Sequence, residues 1–172
     1  MTDREPENQN ESTSDAEVPA DLMPRFLARL IDGAILWFVF MILFVPIVFS
    51  LIFSGVSGFG GMFGGFSLSG IVIGIVWAAV IIGYFAFLES SRGQTIGKMI
   101  MKLKTEGPDG QNPTLEMAIK RNLFNALNII PVLGGLLALG AVIYIAYTIN
   151  ESPTKTGWHD VFAGGTRVVK LS

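Results

Sequence analysis

The chain has 172 residues, of which 51% are hydrophobic and only 15% charged; its mean hydropathy is +0.54 and its formal net charge −2. Soluble domains carry roughly 25% charged residues, so this composition excludes an ordinary soluble domain and marks a small, single-domain membrane protein. The absence of cysteine excludes disulfides, thiol catalysis and Cys-ligated metal.

The charge is unevenly spread. Seven of the 14 acids lie within the first 24 residues against one base, Arg4, which leaves the remainder at net +4. Residues 1–20 hold Glu, Asn, Ser, Thr and Pro and almost no large apolar side chain. Such a segment cannot bury enough surface to fold and is predicted to be a disordered acidic tail. It lacks the basic leader and early apolar core of a secretory signal. Residues 21–172 are read as one membrane domain, and its basic character suits an anionic lipid surface.

Arg25, Arg29 and Asp32 open the first apolar segment, spaced four and then three apart. On a helix they share one face. The span that follows, about residues 30–53, is long enough for a hydrocarbon core of roughly 30 Å. Pro46 lies inside it and predicts a kink, and Trp37 suits a headgroup anchor. Residues 54–69 are Gly, Ser and Phe without charge and predict a flexible or re-entrant connection. They do not form a phosphate loop, since the Lys-Ser/Thr ending and the preceding strand are missing. Residues 70–88 are the second span, closed by Glu89.

Arg92, Lys98, Lys102 and Lys104 cluster in the next segment, and the near-alternation from Lys98 to Thr105 predicts a half-buried strand. Gly107-Pro108-Asp109-Gly110 reads as a turn. Thr114 can cap a helix with Glu116 in its first turn. Arg121, Asn125 and Asn128 then form a polar stripe on an apolar helix. Residues 117–131 and 134–150 fit two short crossings separated by a tight turn at Pro131–Gly135. A single crossing from Met117 to Ile149 is the alternative. The tail carries Lys155, His159, Asp160, Arg167 and Lys170, with a strand-like run from Thr166 to Leu171.

Positive charge gathers on cytoplasmic segments. That rule puts Arg25, Arg29 and the 92–104 segment inside the cell and the uncharged 54–69 segment outside. A hairpin over 117–150 returns the basic tail to the cytoplasm and lets residues 166–171 pair with 98–105, so that neither strand is left alone. The expected architecture is an all-α membrane protein: a small bundle of four (alternatively three) membrane helices, with a short cytoplasmic β-strand pair and the acidic tail. The expected location is the inner (plasma) membrane, multi-pass, with both termini cytoplasmic.

Three blocks of residues are distinctive together. They are Arg25-Phe-Leu-Ala28-Arg29-Leu-Ile-Asp32, then Gly93-Gln94-Thr95-Ile96-Gly97-Lys98 followed by Asp109-Gly110 and Arg121-Asn122, and last His159-Asp160-Val161-Phe162-Ala163-Gly164 with Thr166-Arg167. In this order and spacing the chain resembles the RDD family of bacterial integral membrane proteins, named for one arginine and two aspartates. The resemblance implies that the naming residues are Arg25, Asp32 and Asp160. It also makes alkali-cation/proton exchange a candidate activity, because some RDD-like proteins are described as such antiporters. The 54–69 segment is more glycine-rich than the family's usual spacer.

Two functional readings follow. In one, Asp32 trades a proton for a sodium ion, since a partly desolvated carboxylate has a raised proton affinity. In the other, Arg25 or Arg29 forms a salt bridge with Asp32 that pins the first span, and the charged face serves a non-transporting subunit or scaffold that docks a partner. The candidate polar site comprises Arg25, Arg29, Asp32, Arg121, Asn125, His159, Asp160 and Arg167. His159 is the sole histidine; with no cysteine beside it, it offers too few ligands for a metal. No nucleophile–base pair is visible, so no enzymatic activity and no cofactor are expected. The expected partners are the lipid bilayer and a second copy of the chain or another membrane protein, and not nucleic acid.

Overall fold

A computed structural model of the chain describes residues 18–53, 68–130 and 133–171. Most of the expected acidic tail, the Gly-rich connection apart from its last two residues, and Pro131-Val132 of the tight turn lie outside the described residues. The order of elements is α1 (Leu22–Phe53), α2 (Leu68–Arg92), α3 (Ile96–Ile100), β1 (Leu103–Glu106), α4 (Leu115–Asn122), a 3-10 segment (Leu123–Ile129), α5 (Gly134–Glu151), α6 (Trp158–Phe162) and β2 (Arg167–Lys170).

Among the described residues, three helices are long and apolar enough to cross a membrane: Leu22–Ile47, Ile71–Arg92 and Gly134–Glu151. With its 32 residues, α1 extends about 48 Å, well beyond a hydrocarbon core of roughly 30 Å. Its first three turns, which carry Arg25, Arg29 and Asp32, can therefore stand at the polar edge. The helix runs on through Pro46. Phe40 and Phe44 of α1 pack on Trp77 of α2, with ring centroids 4.9 and 5.5 Å apart, and fasten the two spans in their apolar half.

The expected span over 117–131 is not one continuous α-helix. Thr114 caps α4 by accepting from Met117 N, but α4 ends at Asn122 and the chain tightens into the 3-10 segment. The side chains of Asn125 and Asn128 donate back to the carbonyls of Asn122 and Asn125, each at 3.0 Å. Such local bonds compete with the α-helical ladder. The segment nevertheless runs antiparallel to α2. Arg121 and Asn122 lie beside Glu89, and Ile129 lies so close to Gly74 that a Cβ there would sit 3.2 Å from the Ile129 carbonyl oxygen. From that end α5 leads back.

The sheet closes the opposite end of the bundle. Strands β1 and β2 pair antiparallel in the register Leu103↔Lys170 to Glu106↔Arg167. The chain ahead of α1 lies along the other side of β2: Ala20 N donates to Val168 O at 2.9 Å and Lys170 N to Val18 O at 3.0 Å. The segment Val18–Ala20 and strand β2 thus meet at one end of the molecule. The tail boundary expected at residue 20 shifts accordingly, because Val18–Ala20 are held by β2. Ala20, Ala28, Leu103 and Val168 form the buried apolar centre of this plate.

The strand expected from Lys98 begins later. The Thr95 hydroxyl accepts from Lys98 N and caps a helical turn, so residues 96–100 form α3 and only Leu103–Glu106 are extended. Lys102, at φ 52°, supplies the reversal between the two.

Candidate functional site

The plate holds a layer of buried charge drawn from five elements. α1 contributes Arg25, Arg29 and Asp32; the end of α2 contributes Tyr84 and Glu89; the start of α3 contributes Thr95, Gly97 and Lys98. Arg121 and Asn122 come from the last turn of α4, and His159 and Asp160 from α6. Asp32, Glu89, Asn122 and Asp160 are almost wholly shielded from solvent.

Asp160 is one centre. Its Oδ2 lies 3.4 Å from Arg25 Nη1 and its Oδ1 3.0 Å from Arg121 Nη1. Oδ2 also accepts from Gly157 N at 2.9 Å, which caps α6, and Oδ1 accepts from the Thr166 hydroxyl at 3.2 Å. Burial pushes the Asp160 carboxyl up, but the neighbouring positive charge, Arg121 foremost, outweighs it and holds the group below the usual carboxylate range. Arg25 further donates to the carbonyls of Ala20 and Val168, both at 3.1 Å, so one guanidinium ties α1, α6 and β2 together.

Glu89 is the second centre. It accepts from Lys98 Nζ at 2.5 Å and Asn122 Nδ2 at 3.2 Å, and Arg121 Nε lies 3.8 Å away. Lys98 also reaches the Thr105 hydroxyl at 2.5 Å. Burial pushes the Lys98 ammonium down to about 8, with Glu89 resisting the shift.

Asp32 is the third centre, and here the expected pairing fails. Neither Arg25 nor Arg29 forms an ion pair with it among the described residues. Its donors are neutral: Tyr84 hydroxyl at 2.8 Å, Thr95 hydroxyl at 2.5 Å and Gly97 N at 2.7 Å. The reason is geometric. α3 crosses α1 at Gly97 and presents its first turn to Asp32, while Arg25 is drawn to Asp160. Arg29 turns the other way, donating to Asn122 Oδ1 at 3.1 Å with its guanidinium 4.0 Å from the centre of the Phe85 ring.

The remaining predicted residues divide. His159 joins the layer, and burial pushes its imidazole down to about 3, so it is neutral at ordinary pH. Arg167 stands apart at the sheet, 3.1 Å from Glu106. Asn125 lines a cavity of about 450 Å³ between α1 and α2, with Arg29 and Trp77. The candidate site read from the sequence omits Tyr84, Glu89, Thr95, Lys98 and Asn122, although Thr95, Lys98 and Asn122 stand in its distinctive blocks. A glutamate closing one apolar span, opposite the bases that open another, is the signal that could have found Glu89.

A larger cavity of about 500 Å³ lies against the layer between α1 and α5. Its walls are apolar: Leu30, Ala34 and Trp37 on one side, Val142, Ile145 and Ala146 on the other. Its polar lining is cationic or neutral, namely Arg25, Arg29, Lys98, Arg121 and His159, with no carboxylate among the described residues. Three nitrogens on these side chains, Arg29 Nη2, Arg121 Nε and His159 Nδ1, are buried without a hydrogen bond. Arginine N–H groups can only donate, so leaving one buried and unmet costs about 1–3 kcal/mol.

The model of the RDD family matches residues 19–164, a stretch that contains every residue of the layer. No curated protein and no solved structure matches the chain.

Proposed function

The chain belongs to the RDD family, and from that premise we propose that it is a non-transporting membrane module whose charged layer makes a rigid plate for docking a partner protein. In this reading the module sits in the plasma membrane with both ends cytoplasmic. Residues 115–130 and α5 form the hairpin that completes a fourth crossing. Support for the orientation comes from the bases: Arg25, Arg29, Lys98, Lys104 and Arg167 belong to the same end of the bundle.

The observation that carries the docking reading is that no carboxylate lines the large cavity among the described residues, while Glu89 and Asp160 are each fixed by several donors. A cation pathway requires acids or carbonyls that a passing ion can reach. The surface for a partner is α6, where Trp158, Val161 and Phe162 are exposed on the plate, with Trp158 stacked on Phe162 at 5.5 Å. Purified protein in sealed vesicles carrying a proton gradient is expected to move no sodium or lithium beyond protein-free vesicles. Flux that scales with the amount of protein refutes the proposal.

One observation favours exchange as the second reading. Asp32 is buried with neutral donors only, so among the described residues no ion pair competes with an incoming cation for its carboxylate. If flux is found, Asp32→Asn should abolish it in a protein that still folds.

A further inference from the structure

We propose that the cavity between α1 and α5 holds one anionic phospholipid, its phosphate seated on Arg29, Arg121 and His159 and an acyl chain lying between Ala34 and Ala146. The inference is independent of whether α6 docks a partner.

The charge balance of the layer is the first argument. Arg25, Arg29, Lys98 and Arg121 bring four positive charges to Asp32, Glu89 and Asp160, and His159 is neutral. One positive charge, on the part-buried Arg29, has no carboxylate partner in the layer among the described residues. Glu106, the nearby acid of the sheet, is committed to Lys104 and Arg167. Burying an uncompensated charge is unfavourable, and an anion within the site removes that penalty.

Location is the second argument. The carboxylates lie on the protein side of the layer and the cations line the cavity. The unmet N–H groups belong to two of these cations. Arg121 is itself nearly fully buried, and its Nε faces the Glu89 carboxylate only at 3.8 Å, beyond hydrogen-bond reach. Guanidinium groups match phosphate oxygens in geometry as well as charge.

The cavity walls distinguish a lipid from a free anion. Beyond the cations the walls are aliphatic and aromatic, and they are the flanks of two membrane-spanning helices. A small inorganic anion would leave that apolar space empty. An amphiphile satisfies both ends at once. Leu30 and Trp37 are exposed beside the opening, so the rest of a chain can continue into the surrounding bilayer.

The test uses the full chain purified into detergent and examined by native mass spectrometry. Phosphatidylglycerol, phosphatidylcholine and inorganic phosphate are added separately. One phosphatidylglycerol per chain is expected, retained at least tenfold more than phosphatidylcholine. Ala146→Trp fills the apolar part without touching the ion layer and should lower that retention at least tenfold; Ala34→Phe, on the facing wall, should do the same. Equal retention of the two lipids by the unaltered protein would overturn the proposal. So would phosphatidylglycerol retention that survives in a folded cavity-filled variant, which marks binding elsewhere. If inorganic phosphate alone raises the melting temperature as much as phosphatidylglycerol does, the site belongs to a free anion and the lipid assignment fails.

Discussion

Gly97 offers the sharpest single perturbation. It lies where α3 crosses α1, and a Cβ built on it would overlap the carbonyl oxygen of Ala28, 2.9 Å from the carbonyl carbon and 3.0 Å from Asp32 Cγ. The obstructing atoms are mostly backbone of a long helix, which cannot swing aside. In Gly97→Ala, α3 must retreat by about 1 Å to regain ordinary carbon contacts near ~3.5 Å. That movement stretches Gly97 N–Asp32 from 2.7 Å and Thr95–Asp32 from 2.5 Å towards loss. Hydrogen bonds to a charged group contribute about 1.5–3 kcal/mol each, and the carboxylate stays buried. Even with partial relaxation the expected cost is about 3 kcal/mol. The control is Gly33→Ala, one residue beyond Asp32, where a Cβ meets nothing within 4 Å. There the helix should gain up to about 1 kcal/mol. Equilibrium unfolding of both variants in mixed micelles measures the difference. A Gly97→Ala protein within about 1 kcal/mol of the unaltered chain would refute the close crossing and with it the neutral cage around Asp32.

Lys98→Met leaves Glu89 buried without its nearest cation and should cost about 3–5 kcal/mol. Adding Glu89→Met should recover part of that loss, so unfolding of the single and double variants is expected to show coupling above about 1 kcal/mol. The pH response should carry the mark of His159. Its folded value of about 3 lies below the ordinary 6.5, so between these pH values the unfolded chain binds a proton that the folded chain refuses. Stability then falls as pH drops from about 6.5 towards 3, by up to about 1.4 kcal/mol per pH unit. His159→Gln should flatten this slope by about one proton in a pH series of unfolding curves. Asp160, held low, adds its own loss only at the acid end and should remain in that variant.

The spacing of Arg25, Arg29 and Asp32 made their shared helix face legible, because that face depends only on local geometry. Their partners were not legible. Asp160 is 135 residues from Arg25, and the nearer acid, Asp32, was the natural choice until α3 is placed across α1. Lys98 illustrates a local error. The alternation of Met99, Met101 and Leu103 suggested a strand with Lys98 facing outward, yet the Thr95 cap starts a helical turn that swings Lys98 inward to Glu89. The winding of the 117–131 segment was hidden for a related reason. Its apolar content resembled a span, but Asn125 and Asn128 use their amides on nearby carbonyls and favour the tighter 3-10 winding.

The layer explains how apolar helices find one arrangement. In lipid, hydrocarbon faces discriminate poorly between partners, and polar contacts supply much of the choice. Here each contact joins elements distant in sequence: Arg25 to Asp160, Glu89 to Lys98 and Asn122, Arg29 to Asn122. Because Arg121 approaches both Glu89 and Asp160, misplacing α4 disturbs two centres at once. A wrong register therefore buries several unpaired charges together, whereas the correct one leaves the layer a single cation in excess, facing a cavity that opens between two spans.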